Sequence, residues 1–196
     1  MASPPAAKTA KSTPKAKPTA PKEAVRPAPE SLNLVVYPHP ALKKHAAEVT
    51  QFDAWLPAVA VRMKQVMIEN KGVGLAAPQV GVGLRMFVWS PEGQLDETQV
   101  YVNPVFSQLE GEEEGEEGCL SLPEIRTKVV RYTKLHVEAL DQFGHPIAAD
   151  LEGFPARIVQ HENDHLEGIL LLDRMGPVAK LANRKKIKEL EKQAGE

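Results

Sequence analysis

The segment that most constrains how this chain folds is His161-Glu162-Asn163-Asp164-His165. In an α-helix, side chains four residues apart project from the same side, so the two imidazoles can bind one metal ion together. Glu162 lies roughly 100° around such a helix from His161, which suits contact with water at the metal better than ligation. Apolar residues flank the segment, and a buried helix with two histidines and a glutamate needs partners that offset the cost of burial. We therefore predict a buried metal-binding helix; the alternative is a surface helix in which the pattern arose by chance.

A third metal ligand is expected from outside this helix. No histidine follows His165, Glu167 is too close on the same helix, and Asp173 comes only eight residues after His165. Upstream, Cys119 stands among small neighbours, and a thiolate is a good ligand for a divalent transition metal. Ligand counting therefore favours Cys119, and the alternative is a buried structural cysteine.

The segment from Gly72 to Gly81 is rich in small residues. It is similar to a phosphate-binding loop only superficially, because Pro78 and Gly81 would interrupt the helix that must follow such a loop. An extended segment that a substrate backbone approaches closely is the better interpretation. Gln79 then offers an amide that can donate to a developing oxyanion, although a loop glutamine that faces water is the default alternative.

The N-terminal segment differs in composition from the rest of the chain. Residues 1–31 contain seven of the 17 prolines and carry a net charge of +4, which leaves −6 on the remaining 165 residues. The segment has almost nothing to bury, so we predict a disordered basic tail over 1–31 and a single catalytic domain over 32–196. The alternative is an organelle transit peptide, against which the prolines argue because they interrupt an amphipathic helix.

Composition excludes several classes of protein. The single cysteine cannot form an internal disulfide, which favours a reducing compartment. No apolar stretch approaches the ~18 residues of a membrane span. The overall charge of −2 argues against a surface devoted to nucleic acid.

Hydrophobic periodicity predicts an irregular order of helices and strands, which indicates an α+β fold. Helices are expected over 54–70, 155–167 and 177–193, and strands over 85–89, 99–102, 134–141 and 146–151, the last two as a hairpin. The apolar run 169–172 is interpreted as a buried strand. In the final helix the apolar face is expected to contain Val178, Leu181, Ile187 and Leu190.

Six of the eight residues from Glu110 to Glu117 are glutamates. We interpret this run as a solvated loop. A cation-binding loop is the alternative, although the run lacks the D-x-[DN]-x-[DN]-G spacing of a calcium site.

Taken in order, three segments resemble the motifs of the peptide deformylase family, G-Φ-G-Φ-A-A-x-Q, E-G-C-Φ-S and H-E-x-D-H, where Φ is apolar. They stand here as residues 72–79, 117–121 and 161–165, each complete, and the similarity covers about residues 32–192. Asn163 takes a place that is often apolar in the family, and the N-terminal extension has no counterpart in its minimal pattern.

The resemblance implies antiparallel β-sheets packed around a central metal-binding helix, followed by a C-terminal helix. It also implies an enzyme that removes the N-formyl group from N-terminal methionine of newly made polypeptides, in which metal-bound water attacks the formyl carbon. The implied site residues fall into three groups. The metal ligands are Cys119, His161 and His165; the catalytic groups are Glu162 as general acid and base, with Gln79 and the backbone N–H of Leu120 holding the oxyanion; the substrate-binding residues are Val73, Gly74, Leu120, Glu124, Arg126 and Ile158.

The resemblance further implies one divalent transition metal per chain, with Fe²⁺ as the first expectation and Zn²⁺ or Ni²⁺ as alternatives, because cysteine and histidine suit all three. We expect nascent formyl-Met polypeptides as partners, transient ribosome contact through the basic C-terminal helix or the N-terminal tail, and no DNA or membrane. The expected compartment is the cytoplasm, with organelle import as the alternative. Two alternatives for function stay open: a zinc metallopeptidase with the H-E-x-x-H motif, and a non-catalytic metal-binding homologue.

Overall fold

The computed structural model describes residues 26–194, and within them the chain forms seven β-strands and four α-helices. In chain order these elements are α1 Trp55–Glu69, β1 Gly74–Ala76, β2 Met86–Trp89, β3 Gln99–Glu110, β4 Glu113–Cys119, β5 Leu122–Arg131, β6 Lys134–Leu140, β7 Pro146–Glu152, α2 Phe154–Leu166, α3 Leu171–Arg174 and α4 Pro177–Gln193. Short 3-10 turns lie at Pro29–Ser31, Pro40–Lys43 and Ala77–Val80. The predicted α+β class is confirmed.

Five strands form an antiparallel sheet in the order β1-β2-β3-β6-β7. The predicted hairpin is confirmed as β6 and β7, and the two earlier predicted strands correspond to β2 and the start of β3. Strand β2 is buried on both faces because helices cover both sides of the sheet. Met86 and Val88 pack with α1, whereas Phe87 and Trp89 pack with α2.

Strands β4 and β5 form a separate hairpin that encloses the other side of α2. Its ladder is regular as far as Gly118, opposite Arg126, but Cys119 is opposite Leu122, so residues 123–125 bulge out of β5. A bulge of this kind redirects side chains beside a site. The predicted loop at 110–117 is therefore wrong, since from residue 113 the run is strand β4, but its glutamates other than Glu117 are solvated as expected. Its exposed glutamates are tolerated because β4 faces water on one side, where Glu114 pairs with Lys128 at 3.0 Å.

Helix α2 lies between the five-stranded sheet and the hairpin, which confirms the expected central helix. It begins after Gly153, whose φ of 66° suits glycine, and Pro155 occupies its first turn. Its apolar residues Ala156 and Val159 are fully buried against the sheet. The opposite side of the helix is thereby turned toward the hairpin and its cysteine.

Two predictions near the C-terminus are wrong. The run 169–172 is not a strand: it leads into the short helix α3, whose first turn is capped by Asp173, which accepts from the Leu170 backbone N–H at 2.9 Å. In α4, Ile187 and Leu190 pack on the core as expected, but Val178 is 82% exposed and Leu181 is 71% exposed. The start of α4 therefore offers an apolar surface to solvent rather than to the core.

The last residues of the predicted tail contact the fold. The Arg26 guanidinium lies 4.9 Å from the Trp55 ring centroid, and the Trp55 indole N–H donates to the Pro27 carbonyl at 2.9 Å. Residues 26–31 of the predicted tail are thus packed on the fold, because a cation and a carbonyl find partners at the start of α1. The remainder of that prediction, residues 1–25, lies outside the described residues. Among residues 26–194, no helix has the length and apolar character that a membrane crossing needs.

Candidate metal centre

Helix α2 places His161 and His165 on the side that faces the hairpin. Their ring centroids are 5.2 Å apart, as expected for residues one helical turn apart. His165 is 1% exposed, and its Nδ1 atom is buried without a hydrogen-bond partner. Burial first, and then the nearby charges of His161 and Arg131, lower the pKa of His165 well below its usual value. His165 is therefore held neutral, which is the form that binds a metal.

Cys119 ends strand β4, and the two-residue turn that follows it turns the chain back into β5. Its Sγ atom lies 3.3 Å from Nε2 of His165. The potential ligand atoms of Cys119, His161 and His165 all lie within 4.8 Å of one another, and no other group of this kind occurs among residues 26–194. One thiolate and two imidazoles suit a divalent transition metal, and three protein ligands leave a fourth position open. The residues present therefore fit a catalytic metal.

Glu162 lies beside these ligands, is 4% exposed, and has a side-chain oxygen, Oε2, with no hydrogen-bond partner. Burial raises the pKa of Glu162 to about 7. A carboxyl group whose pKa is near neutrality can both accept and return a proton. Strand β1 leaves room for it only because Gly74 has no side chain: a Cβ there would overlap the Glu162 carboxyl group.

Gln79 is held in one orientation by three groups. Its Oε1 atom accepts from the Ala76 backbone N–H at 2.8 Å, and its Nε2 atom donates to Ser121 Oγ at 3.2 Å and to Cys119 Sγ at 3.6 Å. Gln79 is 1% exposed, so it is not a loop glutamine that faces water. The amide N–H₂ therefore points at the candidate centre. The sequence motifs contained Ser121, but its contact with Gln79 was not predicted.

Glu117 is the principal site residue that the sequence interpretation missed. Its two carboxylate oxygens accept four hydrogen bonds, each at 2.9 Å: two from Arg131, one from Arg157 and one from the imidazole of His161. Burial alone would raise the pKa of Glu117, but the hydrogen bonds from His161 and Arg131 outweigh it and lower the pKa to about 2. An ionised carboxylate only accepts, so Nδ1 of His161 carries the proton in this contact, and Nε2 is the nitrogen that would bind a metal.

Arg131 extends this network to the other end of the helix. It donates to Asp164 at 2.6 Å, and Asp164 also accepts from Arg174 of α3. The sequence holds only a partial signal for the strand that carries Arg131: the apolar residues Ile125 and Val129 alternate with Arg126 and Lys128. The buried positions 127 and 131 are polar and the exposed position 130 is valine, so the full alternation is visible only in the structure. The buried partners Glu117 and Asp164 have no such signal, since each is one acidic residue in a polar stretch.

A cleft of about 740 Å³ opens at the candidate centre. Glu162, Gln79, Cys119 and His161 border it, whereas the third predicted ligand, His165, lies behind them. The six predicted substrate-binding residues all line this cleft, and they are Val73, Gly74, Leu120, Glu124, Arg126 and Ile158. The structure therefore brings together the residues that the sequence predicted separately.

Comparison with known proteins gives one consistent result. The model of the family described as polypeptide deformylase matches residues 31–181. The chain is 40% identical to the peptide deformylase of Desulfosudis oleivorans over 166 residues, which cover 83% of this chain and 96% of that protein. It is also 40% identical to the peptide deformylase of Thermotoga neapolitana, over 81% of this chain and 96% of that one.

Two solved structures are similar over nearly their whole length. The crystal structure of a peptide deformylase from Legionella pneumophila gives a TM-score of 0.78 at 39% identity, over 84% of this chain and 97% of that one. The peptide deformylase of Thermus thermophilus gives 0.78 at 38% identity, over 83% and 98%. The residues that the family model matches include both sheets and the helix between them.

Proposed function

Because this chain belongs to the peptide deformylase family, and is an enzyme of that class, we propose that its centre at Cys119, His161 and His165 is where formyl groups are hydrolysed from the N-terminal methionine of new polypeptides. The observation that carries the proposal is Glu162, a buried carboxyl group with an unpartnered oxygen beside three potential ligand atoms. Burying such a group without a partner costs free energy, and groups of this kind are concentrated at functional sites.

The cleft suits an extended peptide with an apolar first side chain. Strand β1 is an edge strand of the sheet, and we propose that its backbone at Gly74, where the strand borders the cleft, pairs with a substrate backbone. Val73, Leu120 and Ile158 are proposed to surround the methionine side chain, with Gly74 allowing close approach. Glu124 and Arg126 lie on the side of the cleft formed by the bulged strand β5, and we propose that they contact the substrate residues that follow the methionine.

Cys119, His161 and His165 would hold one divalent metal, Fe²⁺ by the family resemblance, with Zn²⁺ and Ni²⁺ as alternatives. When bound, the metal acts as a Lewis acid on the formyl oxygen and lowers the pKa of water. Glu162 takes a proton from the attacking water, whose oxygen bonds to the formyl carbon. Glu162 then gives this proton to the amine as the C–N bond breaks, which releases formate and a free N-terminus.

The negative charge that develops on the formyl oxygen needs donors. We propose the Gln79 side-chain amide and the Leu120 backbone N–H for this role. Gln79 is suited because Ala76 and Ser121 fix its amide before substrate arrives, so no reorganisation is needed during the reaction.

The test is the product formed. The purified metal-loaded protein is incubated with formyl-Met-Ala-Ser and with the same peptide lacking the formyl group. We expect formate from the first and no internal cleavage of the second. Cleavage of the unblocked peptide would instead support a metallopeptidase, which family membership does not favour, and binding of the formyl peptide without formate release would support a non-catalytic homologue.

Ribosome contact is a separate part of the proposal. The side of α4 away from the core carries Leu181 with the exposed cations Arg184, Lys185 and Lys188. We propose that this surface and the basic N-terminal tail contribute to contact with ribosomal RNA phosphates. Replacing the three cations with glutamate, and separately deleting residues 1–25, is expected to weaken co-sedimentation with ribosomes as salt rises. Unchanged binding in both variants would contradict the proposal. The expected compartment remains the cytoplasm.

A further inference from the structure

Arg157 connects the two elements that carry the candidate metal ligands. It lies on α2 four residues before His161, and thus on the same side of the helix. Its side chain is 13% exposed. The guanidinium reaches across to the hairpin, where Nη1 donates to Glu117 Oε1 and to the Val129 carbonyl, each at 2.9 Å, and Nη2 donates to the Glu113 carbonyl at 2.8 Å.

These contacts bridge both strands of the hairpin. Glu113 and Glu117 belong to β4, and Val129 belongs to β5, so a single planar group from α2 is bonded to both strands. Arginine is suited to this arrangement because its planar fork presents several donors in fixed directions, whereas a lysine ammonium presents a single point charge.

Gly115 of β4 makes this position of Arg157 possible. A Cβ on Gly115 would lie 2.7 Å from Cζ of Arg157, 2.8 Å from Nη2 and 3.0 Å from Nε. The guanidinium therefore lies directly against the glycine, and any side chain there would push it off the strand. Gly115 has no positive φ, so close approach rather than backbone conformation explains the glycine.

We propose that Arg157, seated on Gly115, is a positioning residue of the metal centre: it sets the spacing between the hairpin that carries Cys119 and the helix that carries His161 and His165. A metal site binds more tightly when its ligands are held near their final geometry before the metal arrives. Arg131 makes a second connection between the same elements, but its removal would leave Glu117 and Asp164 short of buried partners. Arg157 can be removed more safely, because Glu117 keeps Arg131 and His161.

The inference rests on the proposed metal centre, and the experiment separates the two. The full chain is stripped of metal and titrated with Co²⁺ against a competing chelator, and binding is followed by the thiolate-to-cobalt absorption band. The variants are Arg157→Met, Arg157→Lys, Gly115→Ala and the double variant Gly115→Ala with Arg157→Met. Absence of the band in the unsubstituted protein would contradict the metal centre itself.

Loss of a partner that orients metal ligands costs about 10- to 100-fold in metal affinity. We expect a loss in this range for Arg157→Met, a loss in Arg157→Lys because the fork is gone, and a comparable loss for Gly115→Ala. The double variant should bind Co²⁺ no more weakly than Arg157→Met alone, because both substitutions remove the same contact.

Two control variants distinguish positioning from general stability. Arg62→Met removes an arginine that bonds to the Leu32 carbonyl and to Glu69, far from the centre, and Gly176→Ala adds a Cβ where nothing lies within 4 Å. Both should leave Co²⁺ affinity unchanged, even if Arg62→Met lowers the melting temperature of the metal-free protein. Co²⁺ affinity within twofold of the unsubstituted protein in Arg157→Met, or losses in the two single variants that simply add in the double variant, would overturn the inference.

Discussion

The Nδ1 atom of His161 lies 2.9 Å from Oε2 of Glu117, and this contact joins the candidate metal helix to the hairpin. Arg131 holds Glu117 ionised through two further hydrogen bonds. The Nδ1 atom therefore carries the proton that Glu117 accepts, and Nε2 is the nitrogen of His161 that would bind a metal. One buried carboxylate thus decides which nitrogen of His161 is available to a metal.

Replacing Glu117 with glutamine should weaken metal binding while keeping the shape of the side chain. The amide offers one oxygen in place of two charged ones and turns an N–H₂ group toward either Arg131 or His161. We expect metal affinity to fall by about 10- to 100-fold, measured by chelator competition. Glu114 lies on the same strand and pairs with the exposed Lys128, so Glu114→Gln serves as the control. Equal affinity in both variants would contradict the role of Glu117.

Acid should destabilise the metal-free protein through the same residue. The pKa of Glu117 is about 2 in the folded state against an ordinary value of 4.5, so its contribution is complete above pH 4.5 and is lost as pH falls toward 2. The lowered pKa corresponds to on the order of 3 kcal/mol of folding free energy. Urea titrations of the metal-free protein at pH 7 and pH 3 measure the larger part of this contribution, since the last of it is lost only below pH 2. Stability should fall less with acid in Glu117→Gln than in the unsubstituted protein.

Glu162→Gln should keep the metal and lose most of the activity. The ligand atoms belong to other residues, so metal content is expected to be unchanged, whereas the amide cannot accept a proton. General acid–base catalysis contributes about 10²- to 10⁴-fold, which sets the expected fall in kcat. Cys119→Ala and His165→Ala are the contrasting variants, and each should lose the metal. Normal turnover by Glu162→Gln would contradict the proposed mechanism.

Gly74→Ala should displace the Glu162 carboxyl group from the side of strand β1. The added methyl group would overlap the carboxyl group of Glu162, which must move away from its present position. Deformylation is expected to slow at least tenfold with metal content unchanged. Gly83→Ala, where nothing lies within 4 Å of the new Cβ, should behave like the unsubstituted protein. The two variants differ only in what the same methyl group meets.

Gln79→Glu tests the accepting oxygen and the donating N–H₂ group of the Gln79 side chain separately. Glutamate keeps an oxygen that accepts from the Ala76 backbone N–H but loses the donor that points at the centre. Removal of one oxyanion donor costs about 10²- to 10³-fold in kcat, and a negative charge there adds repulsion. Steady-state kinetics should therefore show a large fall in kcat. A change confined to KM would indicate that Gln79 binds substrate without stabilising the oxyanion.

Much of the fold could be predicted from local patterns. Helix α1, the β6–β7 hairpin and helix α2 follow from periodicity and from proline and glycine at their ends, and all were confirmed. The strand predicted at 169–172 was wrong, because a short buried strand and a short buried helix can have the same hydrophobicity. The prediction that Val178 and Leu181 pack on the core was wrong for a related reason. Helical spacing shows that residues share a face, but not that another element covers that face.

The sequence by itself determined the chemistry that this protein offers: two histidines one turn apart, a glutamate between them and a single cysteine. Those features depend on residue type and helical spacing, which are local. Tertiary structure decided which of several neighbouring glutamates enters the site. Glu117 is buried because Arg131 and Arg157, which are 14 and 40 residues away, meet it there, whereas Glu114 and Glu116 on the same strand stay in water. A buried charge needs partners that compensate it, and only the folded chain brings those partners together.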